Sequence, residues 1–269
     1  MKQYEAVPKN FLIRRVPVII RLDGKNFHSF THSFRKPFDP LLISAMQSTM
    51  KYLCENIQGC VFSYTQSDEI TLVLTDYATI DTAAWFDYNV QKMVSIAASM
   101  ATLAFNRFFA DAVTGWQNRR MVELRYGRRE IDYCEAMKKA IEKGAMFDAR
   151  AFNLPHEEVV NCLIWRQNDA TRNSIQMAGH AVFSHKQMQG KSNAEIQDML
   201  MEQKGINWND YPVPCKRGSA CYRIQTTDTM KDPNPNGDGK NIVVMRNPWI
   251  IDENIPIFTK DRMFVQCHI

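Results

Sequence analysis

The strongest constraint on the fold is the order in which short apolar runs and longer amphipathic stretches alternate over the first 153 residues. Runs of about six apolar residues are typical of strands, whereas apolar residues at helical spacing over ten or more positions indicate helices. In order, the segments are a strand at 16–22, a helix at 40–57, strands at 60–65 and 70–75, a helix at 82–110 and a strand at 146–152. The order β-α-β-β-α-β predicts a ferredoxin-like core.

Two acidic motifs lie at the ends of these strands. Asp23 follows the first strand directly, and Asp68 and Glu69 occupy the turn between the second and third strands. In this topology the first and third strands are antiparallel neighbours, so Asp23 and Asp68 reach the same edge of the sheet. Two such carboxylates can hold two Mg²⁺ ions roughly 3.5–4 Å apart, which is the arrangement that supports phosphoryl and nucleotidyl transfer.

The loop after Asp23 predicts an anion site. Its residues are Gly24, Lys25, Asn26, Phe27 and His28. Consecutive backbone N–H groups after a strand, with glycine at the turn, can form a nest for a triphosphate, and the lysine adds charge. Neither a Walker A loop nor a G-x-G-x-x-G motif is present. His28 is open to two interpretations, a packed loop histidine or a chemical role.

Several cations elsewhere have both a functional and a structural interpretation. Lys36 precedes the first helix and reaches a phosphate or only solvent, and Lys92 is a lone cation on the long helix. Arg150 lies inside the fourth strand, where a phosphate or the carboxylate of Asp148 would serve as its partner. The Trp-Arg-Gln sequence at 165–167 suits RNA and a helix interface equally well.

The composition is that of a globular protein. Apolar residues make up 45% and charged residues 23% of the 269, and no apolar run reaches the length of a membrane span. The N-terminal residues show no secretory pattern, and the seven cysteines form no tight pairs, so we expect free thiols in the cytoplasm. A net charge of +4 is compatible with RNA binding and does not identify it.

The rest of the chain predicts further helices and a C-terminal region that contains strands. Helices are expected from 155 to about 183, with an interruption near 168–169, and at 193–204. Strands are expected at 220–225 and 242–245, with a turn-rich loop at 231–239 between them. We expect a catalytic core at 1–153 and a region at 154–269 packed on it as one unit.

A charged insertion at about 115–145 interrupts the predicted core. Between residues 119 and 143 there are eight basic and five acidic side chains. A solvated helix with charge pairs four residues apart explains them, and so does an arm that contacts phosphates.

Four motifs in matching order, RLDGKNFHSF, YTQSDE, FDARAF and WRQND, resemble the tRNA-His guanylyltransferase superfamily over residues 4 to 225. Within it the chain is most similar to the bacterial and archaeal guanylyltransferase-like branch, the 3′–5′ RNA polymerases. The resemblance implies an α+β fold with a core like a polymerase palm. It also implies an Mg²⁺-dependent enzyme that adds nucleoside triphosphates to the 5′ end of tRNA after activation by ATP, and a homotetramer.

The resemblance also implies roles for individual residues. Asp23, Asp68 and the Gly24 carbonyl would bind metal, with Glu69 as a further catalytic carboxylate. The expected nucleotide contacts are Gly24, Lys25, Asn26, Phe27, His28, Lys36, Asp39, Ser67 and Lys92, with Asp39 near the base. The expected tRNA contacts are Arg150, Arg166, Asn173, Lys216 and Arg217.

One segment departs from the family pattern. Members that add G to tRNA-His carry a HINNLYN-like segment, and here residues 171–177 read TRNSIQM, which keeps little beyond Asn173. This favours template-directed repair of 5′-truncated tRNA, with GTP, ATP and the other NTPs as substrates. The alternatives are G addition to tRNA-His as the main role, a nucleotide cyclase, or an RNA-binding protein without catalytic activity.

Overall fold

The structure is a computed structural model that describes residues 1–122, 128–231 and 241–269. The strands are β1 (Val18–Gly24), β2 (Cys60–Gln66), β3 (Glu69–Leu74), β4 (Phe147–Asn153), β5 (Ser219–Arg223), β6 (Thr226–Lys231), β7 (Asn241–Arg246) and β8 (Trp249–Asp252). The helices are α1 (Lys2–Ala6), α2 (Phe27–Phe30), α3 (Pro40–Asn56), α4 (Val90–Val122), α5 (Arg128–Lys143), α6 (His156–His180), α7 (His185–Met188), α8 (Asn193–Lys204), α9 (Val213–Arg217) and α10 (Met263–Gln266).

Six strands form one antiparallel sheet in the order β4-β1-β3-β2-β5-β8, and β6 pairs with β7 as a separate ribbon. The first four strands have the order of the ferredoxin-like fold, with β1 and β3 at the centre. The structure therefore confirms the predicted α+β class and the β-α-β-β-α-β core. The C-terminal strands β5 and β8 extend the same sheet beyond β2.

Both faces of the sheet are covered because alternate residues of its strands are apolar on each side. Ile20 and Leu22 of β1 face the core made with α3, α4 and α5, whereas Ile19 faces a second core with α6 and the C-terminal segment. This alternation places Arg21 and Asp23 on the α6 face, two residues apart.

The long helix α4 begins later and ends later than predicted. A 3₁₀ turn at Trp85–Tyr88 precedes it, and three residues in this turn have positive φ, so no helix can run through from residue 82. Asn89 accepts a hydrogen bond from the Lys92 amide at the start of α4. The stretch Val90–Arg119 is long and apolar enough to cross a membrane by length and composition, yet the helix packs on α3 and β4.

The expected interruption of α6 near residues 168–169 is wrong, because the helix is continuous from His156 to His180. Asp169 lies three residues from both Arg166 and Arg172 and forms ion pairs with them along the helix. The helix at Asn193–Lys204 is confirmed at both ends, where Ser192 caps its start and Gly205 its end. Strands β6 and β8 were not predicted.

The charged insertion forms the end of α4 and the helix α5, with residues 123–127 outside the described residues. Tyr133, Met137 and Ala140 form the buried side of α5, and charged side chains occupy its exposed side. The helix interpretation of this segment is therefore confirmed for residues 128–143. The predicted loop at 231–239 falls almost wholly outside the described residues, while all seven cysteines are free thiols.

Candidate active site

The acidic motifs meet at one edge of the sheet. Asp23 of β1 is the direct antiparallel partner of Glu69 of β3, and Asp68 precedes Glu69 in the β2–β3 turn. The Gly24 amide donates to the Asp68 carbonyl oxygen at 3.1 Å, which joins the two acidic motifs through their backbones. The juxtaposition expected from the topology is thus present, although the two motifs are separated by 45 positions in the sequence.

Asp68 lies in an environment that opposes its negative charge. Burial raises the pKa of the Asp68 carboxyl; the Ser67 hydroxyl, which donates to it at 3.0 Å, acts in the opposite direction, and the charge of Asp23 adds to the rise. A cation placed between two such carboxylates would relieve both the burial cost and the repulsion. Ser67 itself is exposed and has a left-handed backbone (φ 49°), which shapes the turn.

Glu69 is different, because it is already paired. Arg166 Nη1 lies 2.7 Å from Glu69 Oε2, and Arg166 Nη2 lies 3.1 Å from Asp169 Oδ2. Burial raises the pKa of Glu69 and the charge of Arg166 opposes this rise. The Arg166 side chain, expected at a tRNA contact, is buried and points into the protein. Glu69 and Arg166 therefore form a buried ion pair beside the aspartates.

The loop at residues 24–28 offers a smaller nest than the sequence indicated. The Gly24 and Lys25 amides are taken by the carbonyls of Asp68 and Met146. The amides of residues 26–28 start the short helix α2, and no chain acceptor is recorded for them among the described residues. Asn26 has a left-handed backbone (φ 59°), and the side chains of Lys25, Asn26 and His28 are exposed.

The buried side chain of Phe27 anchors this loop to the hydrophobic core. Its ring packs against those of Phe30, Phe105 and Phe147 at centroid distances of 5.2, 5.5 and 5.3 Å. A Cβ atom added at Gly24 would lie 2.1 Å from the Phe27 ring, so only glycine fits there. Phe27 can therefore contribute its backbone to a ligand but not its side chain.

Asp39 is buried, and each of its two carboxylate oxygens accepts two hydrogen bonds from other residues of the chain. Its Oδ1 atom accepts from the Leu41 and Leu42 amides at the start of α3. Its Oδ2 atom accepts from the Arg35 amide at 3.0 Å and from the Tyr133 hydroxyl at 2.7 Å. The carboxylate expected near the base thus holds protein segments together.

A cleft between the β2–β3 turn, α3, α6 and α9 collects several of the predicted residues. It is lined by Asp39, Ser67, Asn173, Lys216 and Arg217, with apolar walls from α3 and α6. The exposed Lys36 lies outside it, in an open cleft against α5 that also contains Lys139.

Lys92 is not brought to the site within one chain. It lies at the start of α4, where its amide donates to Asn89. Asn89 forms a β-bridge with Phe11, and two residues further along the chain the Ile13 amide donates to the Asn153 side chain. Asn153 pairs with Val18, at the end of β1 opposite to Asp23. Lys92 is exposed, and its ammonium group lies 5.8 Å from the centre of the Phe86 ring.

Arg150 is half-exposed on the edge strand β4, 3.7 Å from the Asp148 carboxylate. It lies directly opposite Arg21 of β1, a residue that the sequence analysis missed. The Nε atom of Arg21 is buried without a partner among the described residues, and its guanidinium lies over the half-exposed ring of Trp165 at 5.8 Å. The sequence did contain a signal for Arg21, because an arginine two residues before Asp23 in the same strand must lie on the same face of the sheet as Asp23.

The residues fit Mg²⁺ bound mainly through its substrate. No cluster of three or more histidine, cysteine, aspartate or glutamate side chains within residues 1–122, 128–231 and 241–269 could hold a metal. Magnesium, however, is commonly held by one or two carboxylates together with phosphate oxygens and water. Asp23, Asp68 and the Gly24 carbonyl form a donor set of that kind. Burial, and to a smaller extent the charge of Asp23, raises the pKa of Asp68, and a bound cation would offset both effects.

Comparison with known proteins gives consistent matches. The family model described as tRNAHis guanylyltransferase (Thg1) matches residues 1–155. Two solved structures of a bacterial tRNA(His) guanylyltransferase-like protein, in complex with ATP and with GTP, are 37% and 36% identical. Their TM-scores are 0.78 and 0.73, and both matches cover 100% of this chain and 96% of the other. The tRNA(His) guanylyltransferase of Schizosaccharomyces pombe is 27% identical over 236 residues, which is 83% of this chain and 78% of that protein.

Proposed function

Because this chain belongs to the tRNA-His guanylyltransferase family, a family of nucleotidyltransferases, we propose that it extends the 5′ ends of truncated tRNAs in the 3′→5′ direction. The observation that carries the proposal is the meeting of Asp23 and Asp68 at the β1–β3 edge, next to a loop with amides left for phosphate. The ATP and GTP complexes of the bacterial relatives support nucleotides as its substrates.

Asp23, Asp68 and the Gly24 carbonyl would hold Mg²⁺. When bound, Mg²⁺ lowers the pKa of an attacking hydroxyl and neutralises the charge on phosphates. The amides of residues 26–28, with the exposed cations Lys25 and Lys36, would hold the triphosphate of a nucleotide. The amides and ammonium groups would then donate to the polyphosphate directly, and the carboxylates would act on it only through Mg²⁺.

The reaction that fits this arrangement has two transfers. The 5′ phosphate of the tRNA first attacks the α-phosphorus of ATP, which forms a 5′-adenylylated end and releases pyrophosphate. The 3′ hydroxyl of the incoming NTP then attacks the activated 5′ phosphorus and releases AMP. The new 5′ end carries a triphosphate, so a further addition can release pyrophosphate without a second activation.

The α6 face beside Asp23 would hold the RNA strand. Arg21 and Arg150 are adjacent cations on that face, and the half-exposed ring of Trp165 lies above Arg21. Cations of this kind bind phosphates, and aromatic rings stack on unpaired bases. Lys216 and Arg217, on the neighbouring cleft, would continue the path of the phosphate backbone.

The base would be chosen by the opposing nucleotide of the tRNA. The segment at 171–177 forms part of α6. It lacks the HINNLYN-like sequence of the family members that add G to tRNA-His without a template. Addition of G to tRNA-His as the main role is the alternative.

We further propose that the enzyme works as a homotetramer in the cytoplasm, with Lys92 donated to a site in another subunit. Leu103 and Ile96 of α4 are exposed in the single chain, at 68% and 40%, and lie on the same helix as Lys92. A contact between copies would cover these apolar side chains. Seven free thiols fit a reducing compartment.

The deciding experiment uses a 5′-labelled tRNA that lacks its first nucleotide, incubated with the protein, Mg²⁺ and all four NTPs. Extension by one nucleotide on a gel is the expected result. No extension of an intact, bound tRNA would reject the proposal. An assay for cyclic nucleotides would then separate a cyclase from an RNA-binding protein without catalytic activity.

A further inference from the structure

One buried carboxylate joins the charged insertion to the loop at residues 31–39, which carries Lys36. Asp39 Oδ2 accepts from the Tyr133 hydroxyl of α5 at 2.7 Å and from the Arg35 amide at 3.0 Å. Asp39 and Tyr133 are 4% and 7% exposed, so this bond is shielded from water. A hydrogen bond to a buried charged group is among the stronger ones in proteins.

Aromatic contacts hold α5 in the same position. The Tyr133 ring meets the Trp116 ring of α4 edge-on at 5.1 Å. The Arg35 guanidinium lies 4.3 Å from the centre of the Tyr133 ring and 5.3 Å from that of Trp116. Farther along α5, the Lys143 ammonium donates to the Ser29 hydroxyl at 3.1 Å. Helix α5 therefore contacts this segment near both of its ends, at Ser29 and at Arg35 and Asp39.

Lys36 follows Arg35 directly and faces the cleft that α5 lines. Its backbone position depends on the Arg35 amide, which is fixed by the same oxygen that Tyr133 binds. Burial, together with the charge of Asp39, raises the pKa of Tyr133, so its hydroxyl stays protonated and remains a donor. The loop is thus held from one side by α3, through Asp39, and from the other side by α5.

We infer that Tyr133 is a positioning residue for nucleotide binding: through Asp39 it fixes the loop that presents Lys36 to the phosphates. The inference rests on the proposed function for the role of Lys36. The charged insertion would thus brace the loop at residues 31–39 from outside the ferredoxin-like core.

The geometry separates this role from catalysis and from a purely structural one. Without the hydroxyl, Asp39 keeps three backbone donors, two of them at the start of α3, so the helix cap remains. Asp23 and Asp68 lie on β1 and in the β2–β3 turn and have no recorded contact with Tyr133. Loosening the loop should therefore weaken nucleotide binding and leave the chemical step unchanged.

The test compares Tyr133→Phe, which removes only the hydroxyl, with Tyr52→Phe as a matched control. Tyr52 packs on Phe108 between α3 and α4, away from the Asp39 bonds. We expect Tyr133→Phe to raise the Kd for Mg·ATP and the KM for the added NTP by about three- to tenfold. The kcat, the KM for tRNA and the Tyr52→Phe values should stay close to those of the wild type.

A second variant approaches the same bond from the other side. Asp39→Asn exchanges one acceptor oxygen for a donor, so it should raise the same Kd and KM, and adding Tyr133→Phe to it should cause little further change. Unchanged ATP binding in Tyr133→Phe, or independent effects of the two substitutions, would overturn the inference. If the wild type binds ATP but never extends tRNA, the proposed function fails, and the Kd values alone decide the role of Tyr133.

Discussion

Arg166 Nη1 lies 2.7 Å from Glu69 Oε2, next to the strand position where Glu69 faces Asp23. This pair divides three neighbouring carboxylates into two kinds. Glu69 carries a compensating cation, whereas Asp23 and Asp68 have no basic side chain within ion-pair distance among the described residues. The site therefore holds two carboxylates whose negative charge a bound divalent cation could neutralise.

The aspartates should be indispensable for nucleotide addition. We expect Asp23→Ala and Asp68→Ala each to lower the rate of addition by about 10³-fold or more, with the fold and tRNA binding retained. Rates on a truncated tRNA, circular dichroism and a tRNA binding assay check this. Asp148→Ala is the control, because Asp148 lies opposite Asp23 on β4 but is half-exposed and paired with Arg150. An equal loss in that variant would contradict the assignment.

The Glu69–Arg166 pair should matter for stability. In Arg166→Met the buried Glu69 carboxylate loses its partner, and breaking a buried pair costs about 3–5 kcal/mol of unfolding free energy. Urea unfolding followed by fluorescence measures this quantity. Arg172→Ala removes a largely exposed guanidinium from the same Asp169 and should cost no more than about 1 kcal/mol. Similar losses in both variants would show that Arg166 is not acting through Glu69.

The deficit of Arg166→Met should depend on pH in a defined direction. Burial raises the pKa of Glu69 above its ordinary 4.5 and Arg166 lowers it, so the variant has a higher folded pKa than the wild type. A raised folded pKa means that the native state binds the proton more tightly than the unfolded chain, and stability falls as the pH rises through the folded pKa. The stability gap between variant and wild type should be smaller at pH 5 than at pH 8. A gap that widened toward pH 5 would contradict this account.

Gly24 should tolerate no side chain. A Cβ atom would lie 2.1 Å from the Phe27 ring, and because Phe27 is locked among three other rings, the loop must move instead. We expect Gly24→Ala to raise the Kd for Mg·ATP at least about tenfold, since the amides of residues 26–28 move with the loop. Gly115→Ala is the control, because its new Cβ finds only Arg119 at 3.7 Å, and it should bind ATP normally.

The added base should follow the template. Truncated tRNAs that differ only in the nucleotide opposite the gap, each offered the four NTPs singly, should accept the Watson–Crick partner by a wide margin. The reason is that residues 171–177 lack the segment associated with non-templated addition of G. Preference for GTP opposite every template nucleotide would support G addition as the main activity.

Much of the core was predictable because the order of its strands and helices follows from local sequence patterns. Alternation and helical spacing indicated the β-α-β-β-α-β order, and that topology alone brought Asp23 and Asp68 to one edge. The start of α4 was missed because it depends on positive φ angles at Phe86, Asp87 and Tyr88, which no apolar pattern reveals.

The site details that escaped prediction all depend on tertiary partners. Arg166 was expected at an RNA contact, and only the packing of α6 on β3 shows that it pairs with Glu69. Asp39 was expected near a base, and the four donors around it come from three segments of the chain. Arg21 was not predicted because it is the single charged side chain in the otherwise apolar first strand predicted at 16–22.

The place of β2 in the sheet has a consequence for synthesis. The core strands are complete once residue 153 has been made, yet β2 then pairs only with β3, and its other side waits for β5 at Ser219–Arg223. During that interval β2 presents an open row of backbone donors and acceptors, which is the kind of edge on which chains aggregate. A chain interrupted between those points should therefore aggregate, and a chaperone that shields this one edge would protect it until β5 has been made.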